Sequence, residues 1–199
     1  MSSTKNLKND HITIRRVRNI AQKCSDNLYS NKEVPLERIE IISVIIEEFV
    51  DEFHHGKEEQ AYFPETKEKD DYAEDIRKFL IEHELGRRIA NMLRREIIVL
   101  KENRSKDKDE NKMLLNNREI NLKEPVARFL KSYAVFIDDH TGKEDKFFEL
   151  VESSKSLSLD EDKRLLEHYE VCKNQVGGET RIQEMLKLIE YLEKQDWMK

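Results

Sequence analysis

Glycine and proline are scarce in this chain, five and three among 199 residues. Little backbone is therefore set aside for breaks, which points to helices. There are only two cysteines, Cys24 and Cys172, too few for a disulfide framework. Both read as small buried hydrophobes, and a reducing cytoplasm is the expected compartment. No apolar run approaches the length that spans a bilayer, and Met1 to Asp10 carry no apolar signal core. No membrane partner is expected. Positive charge is also short: the formal net charge is -6. Nucleic acid, whose phosphates call for a basic surface, is not an expected partner.

Charged residues make up 39% of the chain and hydrophobic residues 37%. That mixture suits long helices with one apolar stripe and a charged outer face. The prolines act as punctuation. Pro35 and Pro125 each stand ahead of an apolar-periodic segment, and Pro64 is expected to stop a helix. The pattern predicts helices over 7–29, 36–63, 70–102 and 123–152, with a loop or a poorly packed excursion rich in Lys, Asp and Asn over 103–121. Two shorter helical stretches, 160–174 and 179–194, flank Gly177-Gly178. The expected fold is all-α: an antiparallel up-and-down four-helix bundle over 1–155, with a C-terminal helical extension over 156–199 packed on it.

Histidines interrupt the apolar stripes. In the fourth helix Val126, Phe129, Leu130, Tyr133, Phe136, Ile137, Phe147, Phe148 and Val151 trace one face, and His140 and Glu144 fall in its middle. In the third helix His83 takes a place among Phe79, Leu80, Ile89 and Ala90 where the pattern calls for an apolar residue. His11 lies one turn before Ile14 in the first helix, and His54 and Glu58 follow the Ile42–Phe53 stripe of the second. A carboxylate on a core stripe is costly unless something pairs with it. Four helices thus each deliver a histidine inward, and two add a glutamate one turn later. Imidazole with carboxylate and no thiolate suits iron, manganese or zinc. Two carboxylates among four imidazoles suggest two metals, because a carboxylate can bridge.

The second and fourth helices also echo each other. His54-His55-Gly56-Lys57-Glu58-Glu59 and His140-Thr141-Gly142-Lys143-Glu144-Asp145 share the pattern His-x-Gly-Lys-Glu-acid. Mid-helix glycine costs about 1 kcal/mol relative to alanine. Gly56, Gly86 and Gly142 are therefore expected to permit close helix approach or to leave room for a small ligand.

These segments resemble the hemerythrin-like, or HHE cation-binding, domain family. The resemblance rests on Asp10-His11, on His54-His55-Gly56-Lys57-Glu58-Glu59 with Phe63-Pro64, on Glu82-His83-Glu84-Leu85-Gly86-Arg87, and on His140-Thr141-Gly142-Lys143-Glu144. It implies metal ligands at His11, His54, Glu58, His83, His140 and Glu144, with His55 and Glu59 as neighbours outside the set. It also implies two non-heme iron ions, oxo- or hydroxo-bridged. Oxygen-carrying relatives have a His-x-x-x-His pair on the third helix, whereas here Arg87 follows His83 by one turn. That departure points to reaction with, or sensing of, O2, NO or peroxide at an exchangeable position. The alternative is a non-enzymatic module for iron or oxygen sensing, or for iron storage and delivery. Ferritin-like bundles use Glu-x-x-His pairs, the reverse of the order here.

Ligand histidines usually donate their second nitrogen to a carboxylate or carbonyl. Asp10, Glu59, Glu82 and Asp139 are the nearby candidates. Tyr133, two turns before His140, is a candidate to point its hydroxyl at the metals. His168 is expected on the surface or in simple packing.

Overall fold

The structure, a computed structural model, describes residues 2–106 and 112–199, with side chains outside 104–121. Among the described residues the secondary structure is helical and no strand occurs. Helix α1 covers Ser3–Tyr29, starting one turn before the expected point because the Ser2 hydroxyl accepts from the Lys5 N–H. Helix α2 runs continuously over 36–66. Helices α3 (Ala73–Lys106) and α4 (Lys112–Ser153) complete the bundle. Helix α5 (Leu159–Gln175) opens with a capping box between Ser158 and Glu161, and α6 (Gly178–Glu193) follows it. Gly177 and Gly178 turn the chain between them at φ +99° and +74°, backbone that only glycine adopts without cost.

Pairs between neighbouring helices run in opposite directions, early residue to late. Along α1 and α4, His11 meets Asp145 and Ser25 meets Ala127. Along α2 and α3, Glu40 meets Lys101 and Glu59 meets His83. Along α3 and α4, Glu82 meets His140 and Gly86 meets Phe136. The bundle is antiparallel. Helices α5 and α6 lie against α1 and α2: Cys172 reaches the Gly56 carbonyl, Arg181 pairs with Glu48, and Glu193 pairs with Arg16.

Three features depart from the sequence expectation. The 103–121 stretch is not one loop: 103–106 continue α3 and 112–121 open α4, while 107–111 lie outside the described residues. Lys, Glu, Arg, Leu and Met are good helix formers however polar their mixture, so polarity alone is a poor loop signal. Pro125 accordingly sits inside α4 rather than at its start. Pro64 does not end α2 either. The Phe63 N–H bonds back to Glu58, five residues away, and the Lys67 N–H bonds to Phe63, four away. Proline stands at this change of ladder, where its missing donor is least disruptive.

Two buried clusters fill the bundle on either side of the histidines. One is built from Ile14, Val17, Ile46, Phe49, Leu93 and Leu130 and their neighbours. The other is aromatic, with Tyr62, Phe63, Tyr72, Phe79, Phe147 and Phe148. The polar layer between them is enclosed by apolar side chains.

Candidate metal centre

Helix α2 owes its shape to two wide turns. Ile46–His54 and Glu58–Tyr62 are π-helical, with hydrogen bonds to the fifth residue back, and His55–Lys57 between them is α-helical. Each residue of a π-turn advances by a smaller angle than in an α-helix, so successive side chains stay closer to one face. Phe53 through Glu58 are all buried in consequence.

His11, His54, His83, His140, Glu58 and Glu144 are each 0% exposed. The structure brings all six together. On one side His11 Nε2 and His54 Nε2 stand 3.1 Å apart. On the other, the His83 and His140 rings lie 4.9 Å apart, centroid to centroid. The two glutamates join the sides. Glu58 has Oε1 at 3.4 Å from His54 Nε2 and Oε2 at 3.4 Å from His83 Nε2. Glu144 has Oε2 at 3.4 Å from His11 Nε2, and its Oε1 lies 3.2 Å from His140 Nε2 and 3.3 Å from His83 Nε2. Each carboxylate therefore faces two imidazole groups with its two oxygens.

Every one of these histidines is oriented from behind by a carboxylate on Nδ1. Asp145 lies 2.8 Å from His11, Asp10 3.2 Å from His54, Glu59 2.8 Å from His83 and Glu82 2.8 Å from His140. The acids are steadied in turn by Arg15, Lys57, Arg87 and Lys143. Fixing Nδ1 as the donor leaves Nε2 free to face the centre. Asp139 does not take part; it is exposed and pairs with Lys143. Asp145, absent from the sequence candidates, takes the role instead, because its partner lies across the bundle on α1.

The sequence echo has a structural meaning. The acid after each inner glutamate, Glu59 or Asp145, serves the histidine of an acid-His pair, His83 or His11. The acid of each pair, Glu82 or Asp10, serves the first histidine of the longer motif, His140 or His54. The α1–α2 and α3–α4 halves are thus approximate repeats around the centre.

His55 is where expectation and structure part. Read at 3.6 residues per turn it points away from the stripe, yet it is 1% exposed and stacks on His83 at 3.9 Å, 16° from parallel. Its ring nitrogens group with those of His83 and His140 closely enough for all three to reach one metal ion. His11, His54, Glu58 and Glu144 form the second such group. The wide turns of α2 leave no recognisable signal in the apolar spacing, so a regular 3.6-residue reading places His55 outside the set.

Electrostatics mark the centre as incomplete on its own. Burial pushes the Glu58 carboxyl well above its usual range, and the Glu144 charge adds to this. Burial works the same way on Glu144, but the His140 charge and the close imidazoles of His11, His140 and His83 hold it well below. Burial also opposes charge on His140, yet Glu144 and Glu82 outweigh it and lift the imidazole to about 9. His54 goes the other way, pushed down to about 4 by burial. Both oxygens of Glu58, Glu144 Oε2, His140 Nε2 and both nitrogens of His55 are buried without a hydrogen-bond partner. Such orphaned groups need an explanation. The donors, all nitrogen and oxygen and all aimed inward, fit divalent first-row metals.

Of the three glycines near the ligands, only Gly86 serves close approach. A Cβ there would lie 2.6 Å from Phe136 Cε1. A Cβ at Gly56 would make ordinary contact with Gln60, and one at Gly142 would meet nothing within 4 Å. The Tyr133 hydroxyl is buried without a hydrogen-bond partner, and its ring lies 6.3 Å from Phe136. His168 is exposed, and Cys24 and Cys172 are free and buried.

Comparison with known proteins decides the kinship. The family model for the hemerythrin HHE cation-binding domain matches residues 2–150. The chain belongs to this family. No curated protein and no solved structure matches it. Within the HHE chain, the matched span takes in all four bundle helices and every residue of the centre, and α5 and α6 lie beyond it. Cation binding is a property of the family, and the histidine and glutamate donors are grouped closely enough that they could hold a metal ion. Among the described residues no helix is long and apolar enough to cross a membrane.

Proposed function

We propose that this HHE protein is a non-heme di-iron protein that binds and reacts with a small oxidant, O2, NO or peroxide, in a reducing cytoplasm. One observation carries the reading: Glu58 and Glu144 each present two oxygens to two separate imidazole groups, the disposition of bridging carboxylates. His11 and His54 would hold one ion, His83 and His140 the other, with Glu58 and Glu144 shared. Bound iron would supply redox chemistry and a Lewis-acidic position for a diatomic or peroxide ligand. The chain's own contribution is to fix four acid-histidine contacts, exclude bulk water with the aromatic cluster, and hold two carboxylates where they would neutralise paired cations.

Metal analysis with an absorption spectrum of aerobically purified protein tests this. About two irons per chain and near-ultraviolet oxo-to-iron absorption are expected. Zinc alone, with no reaction toward peroxide or NO after iron reconstitution, would refute it.

A second reading, a non-enzymatic iron or oxygen sensor or an iron store, draws on the way the centre ties all four bundle helices together. Loss of metal would then loosen the bundle. Equal protease resistance of metal-free and metal-loaded protein, with turnover of peroxide, would count against it.

A further inference from the structure

We infer that His55 is a fifth imidazole ligand, binding the ion shared by His83 and His140, with Asp51 as the carboxylate that orients it. The inference rests on the two-metal reading and goes beyond the six residues that the family resemblance supplied.

Four observations carry it. First, the ring is 1% exposed, and neither nitrogen has a hydrogen-bond partner. An imidazole buried only for packing would leave both polar atoms unsatisfied, which costs about 1–3 kcal/mol for each. Second, a His55 nitrogen lies within reach of the same point as the nitrogens of His83 and His140. Third, Asp51 Oδ1 stands 3.3 Å from His55 Nδ1, one turn back on α2. Asp51 is itself nearly buried, and its Oδ1 also lacks a hydrogen-bond partner. An acid thus stands near Nδ1 of a fifth histidine, as Asp145, Asp10, Glu59 and Glu82 do at the other four, but from the same helix and without a hydrogen bond. An ion on Nε2 would draw electron density from the ring and strengthen the Nδ1–H as a donor toward Asp51.

The fourth observation is the approximate repeat. The residue that corresponds to His55 in the α4 motif is Thr141, also buried, and its hydroxyl is satisfied by the Ile137 carbonyl at 2.8 Å. The two halves therefore differ at the one position where a donor would face the centre. One side of the site has three imidazoles and the other two. The side of His11 and His54 is left with fewer protein donors, so an exchangeable position belongs there.

Anaerobic titration of metal-free protein with Fe(II), following stoichiometry and affinity, tests the assignment. His55→Phe keeps an aromatic ring for stacking on His83 and removes both nitrogens. His55→Thr makes position 55 match Thr141 and serves if the phenylalanine variant fails to fold. Asp51→Asn probes the orienting acid. We expect metal-free His55→Phe to melt no lower than the parent while one of the two equivalents binds at least tenfold more weakly, and Asp51→Asn to weaken that same equivalent by about 10–100-fold. If the parent takes up two ions and both His55 variants take up two with parental affinity, His55 is a packing residue and the inference falls alone. If the parent itself fails to take up two ions, the di-iron reading falls and takes the inference with it.

Discussion

A buried carboxylate with no hydrogen-bond partner is costly unless something else neutralises it. Glu58 is such a group, and Glu144 is partnered on one oxygen only. Replacing Glu144 with glutamine keeps the shape and removes the charge that lifts His140. Glu144→Gln and Glu58→Gln should each lower iron content below that of the parent, read by metal analysis after reconstitution. Unchanged iron in both would mean that neither carboxylate bridges. The orienting acids make a graded series. Asp145→Asn, which leaves His11 in place, is expected to weaken metal affinity about 10–100-fold, measured by chelator competition. Asp139→Asn, outside the centre, should have no effect on the same measurement. At this scale the sequence was readable wherever a titratable residue broke an apolar stripe: all six proposed ligands converge. Asp145 was not readable, since its contact crosses from α4 to α1.

At the scale of the helix, regular periodicity is both the source of what could be read and its limit. Helices α1, α3 and α4 carry their ligands at α-helical spacing, so their inward faces could be placed from the stripes. Helix α2 yields His54 and Glu58 in this way but not His55, because Ile46–His54 and Glu58–Tyr62 are wound more widely. A rule of 3.6 residues per turn turns His55 outward, whereas the wider turn keeps it in. Composition misleads in a different manner over 112–121, where polar residues that favour helix read as loop. The glycines separate along similar lines. Gly142→Ala meets open space and removes backbone freedom from the unfolded chain, so it should raise the stability of the metal-free protein by about 0.4–1 kcal/mol. Gly86→Ala drives a methyl against the Phe136 ring, which must move, so that variant should melt below Gly142→Ala. Thermal melts of the two variants check this order, and a reversed order would contradict the packing described for α3 and α4.

For the molecule as a whole, metal binding, protonation and stability are one coupled equilibrium. Ligands must be deprotonated to bind metal. In the metal-free protein His140 is lifted to about 9 and His11 is also raised, each against the opposing effect of burial, by the carboxylates around them. Protonated His140 adds stability that is complete below its unfolded value near 6.5 and is lost as pH rises through about 9. Metal uptake near neutral pH should therefore release protons, and affinity should climb with pH until about 9. Titration of metal into weakly buffered protein with a pH indicator reads this directly. Uptake without proton release at pH 7 would contradict the assigned charge states.

The central claim is that one buried cluster holds two ions joined by Glu58 and Glu144. X-ray absorption at the iron edge, on protein reconstituted to saturation, tests that claim most directly. Expected are a first shell of nitrogen and oxygen, outer-shell features of imidazole and carboxylate, and a metal–metal distance of no more than about 4 Å. A spectrum with sulfur neighbours, or one with nitrogen and oxygen neighbours but no metal–metal scattering at full loading, would contradict it.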